Sequence, residues 1–195
     1  MKSTRSYTMR SRARAVEENR LRIVRAMFDL AESQGIPETS LQDVASAAAV
    51  SVQTILRQYG SREALIDAAI EYGRSRIADE LSAPVGDIPA AMTTLVDHYE
   101  HRGRSTLRML TQESAYPQVA VITRIGRDSH RRWLTHVFEP YIRGDERLVD
   151  LLVVPTDVYT WKILRLDRGL SRTDTQERMS ALVRAVLAHE TEHGG

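Results

Sequence analysis

Ser40, Ser51 and Ser61 each stand directly before a short run of apolar residues at helical spacing. Nothing else in the chain limits its fold so tightly. A serine hydroxyl accepts a hydrogen bond from an amide two or three residues on, and so starts a helix. In TSLQDVASAAAVSVQTILRQYGSREAL (residues 39–65) the first of these starts also has Asp43, which can reach back to the Ser40 amide. That is a capping box with Asp in place of Glu. Val44, Ala45 and Ala48 give the short helix a buried side. The next runs from Ser51 to about Gln58, and a longer one from Arg62 to about Leu81. Upstream, Leu21, Val24, Phe28 and Ala31, beside Ile23, Met27 and Leu30, mark a helix over residues 17–34. Gly35 fits its stop, and Pro37 bars a simple continuation.

Two short capped helices with about three residues between them form a helix-turn-helix, whose second helix enters the DNA major groove. On that helix Val52, Ile55 and Tyr59 pack inward at steps of three and four. Gln53, Thr54, Arg57 and Gln58 are then expected to face outward. Gln pairs with adenine, and Arg with guanine or a phosphate. The helix starts at Ser40 and Ser51 attract phosphate. The predicted DNA-binding residues are Ser40, Gln42, Ser51, Val52, Gln53, Thr54, Arg57, Gln58, Tyr59 and Arg62.

With one long helix ahead of it, this segment resembles the tetracycline-repressor (TetR) family of transcriptional regulators over about residues 17–72. The matching residues are Thr39 and Ser40, Val44 and Ala45, Val50 and Ser51, Thr54 and Ile55, Tyr59, Ser61, Arg62, Glu63 and Leu65. Three positions depart from the family pattern. Ala49 stands where a turn glycine is frequent; if the turn needs a positive φ, alanine costs about 1 kcal/mol. Leu56 stands where a recognition-helix Tyr contacts phosphate and base. Arg62 replaces a Lys and keeps its charge.

The resemblance implies an all-α protein: a three-helix DNA-binding domain followed by a helical effector and dimerisation domain. The expected divisions are a basic arm at 1–15, the DNA-binding domain at 16–81 and the second domain at 82–195. The second boundary rests on the break at Ala83, Pro84, Val85 and Gly86. Beyond it a helix capped by Asp87, with Pro89 in its first turn, is expected. Others follow at about 104–114, 117–140, 146–166 and 174–190, the last capped by Thr173 with Gln176. Pro155 should kink or interrupt its helix. The stripe Met179, Leu182, Val183, Val186 and Leu187, with the segment Leu148–Leu166, is expected to meet a second copy of the chain. Met92, Tyr99, Met109, Tyr116, Trp133, Tyr159 and Trp161 are the candidates for lining an effector pocket.

Composition narrows the alternatives. The 195 residues are 42% hydrophobic and 27% charged, as in a globular chain rather than a disordered one. Net charge is only +1, yet residues 1–25 hold eight basic residues against Glu17 and Glu18. Arg5, Arg10, Arg12 and Arg14 would suit phosphates. The absence of cysteine excludes disulfides and thiolate zinc sites. No apolar run reaches membrane length and no secretory leader is visible, which fits the cytoplasm.

His189, Glu190 and His193 match the zinc-protease pattern H-E-x-x-H. Only Gly194 and Gly195 follow, so the usual downstream ligand is missing. In DHYEHRGR, His98 and His101 read as the polar end of a helix. Arg124, Arg127 and Arg131 read as a solvated face. The expected protein is therefore no enzyme and needs no cofactor or metal. It is a homodimeric repressor that leaves a palindromic, double-stranded DNA operator when a small-molecule effector binds. The competing readings are a metal-dependent hydrolase built on HETEH and a helical adaptor that does not bind DNA.

Overall fold

The computed structural model describes the backbone of residues 3–193 and the side chains of residues 14–188. Every regular element among them is helical. The chain divides into two compact units, Met1–Arg76 and Ile77–Gly195.

The first unit begins with α1 (Ser3–Gln34). Residues 3–15, expected as an arm ahead of the helix, are its opening turns instead. No Gly or Pro interrupts residues 2–34, and Arg14 reaches Glu18 one turn on at 3.0 Å. The side chains of Arg5, Arg10 and Arg12 lie outside the described residues. Two short helices, α2 (Leu41–Ala47) and α3 (Val52–Tyr59), and the longer α4 (Arg62–Glu80) follow. Each starts at its predicted serine. Ser40 Oγ accepts from the Asp43 amide at 3.1 Å while Asp43 accepts from the Ser40 amide at 2.9 Å. Ser51 and Ser61 accept from Thr54 and Ala64, each at 3.1 Å. Ile23, Met27, Val44, Ile55 and Leu65 meet in the core, each no more than 1% exposed. Leu21, expected on the apolar face of α1, points outward instead. Gly73 lets the Phe28 ring lie against α4, where a Cβ would come within 2.5 Å of it.

The second unit holds α5 (Ile88–Gln112), α6 (Pro117–Val137), α7 (Glu139–Ile142), α8 (Glu146–Thr156), α9 (Val158–Trp161) and α10 (Arg172–His193). Here α5 packs against α6, α9 and α10; α8 packs on α6, α9 and α10, and α7 on α6 and α8. A π-helical stretch, Lys162–Asp167, continues α9. Residues 88–112 form one helix, with no break before a separate helix at 104–114. Gly103 lies inside it because the Trp161 ring packs there; a Cβ would meet that ring at 2.5 Å. DHYEHRGR is thus the middle of a helix rather than a polar end. His98 is mostly buried, and burial pulls its imidazole down to about 4, so it stays neutral. Pro155 is the next-to-last residue of α8, so the expected interruption falls at the end of that helix. The last helix takes Ser171, not Thr173, as its starting serine, with Asp174 as the reciprocal partner. Gln176 instead donates to Thr93 Oγ1 at 2.8 Å.

The division between units falls within α4, ahead of the Ala83–Gly86 break. The last turn of α4 is bound to α5: Arg102, 2% exposed, donates to both oxygens of Glu80 at 2.7 Å. Trp133 Nε1 donates to the Leu81 carbonyl at 2.8 Å.

The turn between α2 and α3 shows how a local rule can be broken at modest cost. The amides of Val50 and Ala49 bond to the carbonyls of Ala45 and Ser46. This is a Schellman ending, which puts the intervening residue in the left-handed region. That residue is Ala49, at φ 52°. Its Cβ crowds the next carbonyl, a strain that glycine lacks. Ala49 is exposed, so its methyl group contributes little packing. Ala49→Gly should therefore stabilise the first unit by about 1 kcal/mol. Urea denaturation followed by circular dichroism measures this. A midpoint at or below that of the native chain would show that the turn is unstrained.

Candidate nucleic-acid interface

α3 advances about 100° per residue, so its eight residues sample the whole circumference. Ile55 is fully buried and fixes the inward direction. Gln53 and Arg57, both exposed, lie roughly opposite it. Leu56 falls on the same outward arc and is 40% exposed. Val52, Thr54, Gln58 and Tyr59 occupy the flanks and are half-buried.

Of the ten predicted contact residues, Ser40, Gln42, Ser51, Gln53 and Arg57 present exposed side chains. The other five are drawn into the fold to different degrees. The Thr54 hydroxyl lies 3.0 Å from Ser51 Oγ and shares in the cap. Gln58, expected to point outward, is turned to the flank. Its Oε1 is enclosed and has no hydrogen-bond partner among the described residues. Tyr59 donates from its hydroxyl to the Arg20 carbonyl at 3.0 Å, with the Arg20 guanidinium 5.4 Å above its ring. Burial pushes its phenol up from the usual value. Arg62 donates from Nη2 to the carbonyls of Ile36, at 2.6 Å, and Thr39, at 3.0 Å, and from Nε to Thr39 at 3.2 Å. Its charge is spent inside the unit. At the N-terminus of α2, hydrogen bonds from Ser40 hold the Asp43 carboxyl below its ordinary value.

Sequence reasoning treated Leu56 only as a missing tyrosine. Its helical angle, midway between those of Val52 and Gln53, was the signal that it faces outward.

Of the seven pocket candidates, Met92, Tyr99 and Trp161 share one buried cluster, and Trp133 packs against it. Tyr99 and Trp161 pair with ring centroids 6.0 Å apart. Met109 and Trp133 are half-buried; Tyr116 and Tyr159 are exposed. An open groove of about 520 Å³ lined by Val85, Ile88, Pro89, Tyr141 and Arg184 includes none of them. Arg127 and Arg131, on α6, pair with Glu113 and with Asp150 and Glu146. The side chains of His189, Glu190 and His193 lie outside the described residues. Among those described, no three His, Asp or Glu side chains gather as a metal ion requires. No described helix is long and apolar enough to cross a membrane.

Two short helices, the second with a solvent-facing polar arc, define a helix-turn-helix DNA-binding protein. Residues 23–69 match the model of the bacterial regulatory proteins of the tetR family. Two solved structures share the fold. One is a transcriptional regulator from Rhodococcus sp. Rha1, 19% identical, with a TM-score of 0.66 over 87% of this chain and 96% of that one. The other is the multidrug binding protein EbrR complexed with imidazole, 19% identical, with a TM-score of 0.57 over 85% of this chain and 89% of that one. No curated protein gives a significant match.

Proposed function

We propose that the chain is a cytoplasmic, homodimeric repressor that binds a palindromic operator through α3 and is released by a small, largely apolar effector. The observation that carries the DNA-binding half is the exposed arc of Gln53 and Arg57 opposite the buried Ile55. An adaptor without DNA binding would leave the same arc solvated, and duplex binding separates the two readings. In a twofold dimer, paired recognition helices meet successive major grooves about 34–36 Å apart. Selection of bound duplexes from a random pool should therefore enrich a palindrome. Gln53→Ala should then cost about 1–3 kcal/mol at the selected operator and relax preference at one base pair. Arg57→Ala should weaken binding to every sequence if its partner is a phosphate. Native affinity in the Gln53→Ala, Arg57→Ala double variant would reject this role for α3.

The dimer rests on apolar surface. Val154 is 66%, Leu182 48% and Leu151 37% exposed on α8 and α10, which pack side by side. Met179 and Val183, expected in the same contact, instead fill the chain's own core. Val154→Glu with Leu182→Glu should leave each chain folded and separate the dimer, since buried unpaired charge is costly only in the contact. Sedimentation of the native protein and the variant decides it: a native monomer overturns the dimer.

The effector reading is supported by the fold shared with EbrR, described as a multidrug binding protein, and by Met92, Met109 and the aromatics of the second unit. Methionine repacks around varied shapes. A compound that raises the thermal midpoint should weaken operator binding, through a coupling of about 1–3 kcal/mol. Hits that leave operator affinity unchanged would remove the effector from the mechanism.

A further inference from the structure

Leu56 is anomalous. The outward arc of α3 carries three side chains: a neutral amide at Gln53, a guanidinium at Arg57 and, at the edge of the arc beside Gln53, an aliphatic group at Leu56. Ile55, one residue away, is 0% exposed, whereas Leu56 is 40% exposed. The fold therefore has an inward place for an apolar residue on this helix and fills it with Ile55. Leu56 contributes no comparable packing.

On the reading of α3 as the groove-entering helix, the environment that Leu56 meets is a row of base-pair edges. Those edges are hydrogen-bonding groups with one apolar exception, the C5 methyl group of thymine. A leucine pressed against an unmatched donor or acceptor would strip its water and return no hydrogen bond. Against a thymine methyl both surfaces leave water together. We infer that Leu56 is a specificity-determining residue that reads a thymine methyl in each operator half-site. The axial spacing locates that thymine. Leu56 lies three residues beyond Gln53, a rise of about 4.5 Å. One base-pair step is about 3.4 Å. The thymine thus sits about one step from the base that Gln53 reads.

The test replaces thymine by deoxyuridine, which removes the methyl and keeps every hydrogen-bonding group. Each thymine of the selected operator is exchanged in turn, symmetrically in both half-sites. Affinity is measured for the native chain and for Leu56→Ala and Leu56→Met. Leu56 is exposed, so both variants should fold, which circular dichroism checks. One exchange should weaken native binding about three- to tenfold per half-site, the scale of one buried methyl group with its packing. Leu56→Ala should bind both duplexes alike, and Leu56→Met should keep most of the discrimination. If no thymine exchange affects the native chain, or if the effect persists unchanged in Leu56→Ala, the assignment is overturned while DNA binding stands. If no duplex is bound at all, the DNA-binding reading falls, and this one with it.

Discussion

One guanidinium fixes the geometry of the DNA-reading unit. Arg62, the first residue of α4, donates three hydrogen bonds to the carbonyls of Ile36 and Thr39. Those carbonyls belong to the turn between α1 and α2, where Gly35 takes φ 105° and the chain reverses. Thr39, 1% exposed, ties the same turn to the Gly35 carbonyl at 2.7 Å through its hydroxyl. A charge-assisted hydrogen bond contributes about 1.5–3 kcal/mol. The half-exposure of Arg62 puts these at the low end. Their larger effect is positional. α2 and α3 lie between the two anchored points, so a contact that neither helix makes adds to their mutual packing in holding them. The planar fork of arginine reaches two carbonyls at once, which a lysine ammonium does not do with the same fixed geometry. What the sequence suggested was a retained phosphate-binding charge is a structural clamp.

With that frame held, the function of α3 reduces to its circumference. Ile55 anchors one side, and whatever lies about half a turn away must face solvent or a partner. Flank positions are divided between the two demands, which is why Thr54 shares its hydroxyl with the cap and Gln58 hides its carbonyl oxygen. Only the arc from Leu56 through Gln53 to Arg57 is exposed. A helix of eight residues thus presents about three side chains outward, and each carries a different chemistry.

The parts of the fold legible in the sequence were those set by neighbours in the chain. The serine starts of α2, α3 and α4 were visible because the hydroxyl and its amide are three residues apart. The positive φ at Ala49 was visible as a conditional, since the Schellman turn needs it. Contacts between distant residues left no such trace. Gly103 reads as a helix breaker until Trp161, far along the chain, is found against it. Arg62 reads as a surface charge until the Ile36 carbonyl is beside it. The last helix, expected to start at Thr173 with Gln176 as its partner, is capped by Ser171 instead, while Gln176 engages Thr93 on α5. The site was legible as a helix and as a list of residue types, but not as the division of that list between core, flank and surface.

The aromatic residues of the second unit show the same limit from another side. An aromatic with a polar group is buried only when that group finds a partner. Tyr99 donates to the Thr156 carbonyl at 2.8 Å, Trp133 to the Leu81 carbonyl at 2.8 Å, and Trp161 to Glu100 at 3.0 Å. Arg165 holds the same Glu100 at 2.8 Å, and the two together stabilise its carboxylate form. Each ring is thereby locked by its polar edge as well as by packing. A ligand entering among these residues would meet faces and methionine side chains, because the donors are already committed. The phenol and indole donors themselves therefore offer no further hydrogen bond there. That commitment explains why counting aromatics in the sequence could not place a pocket.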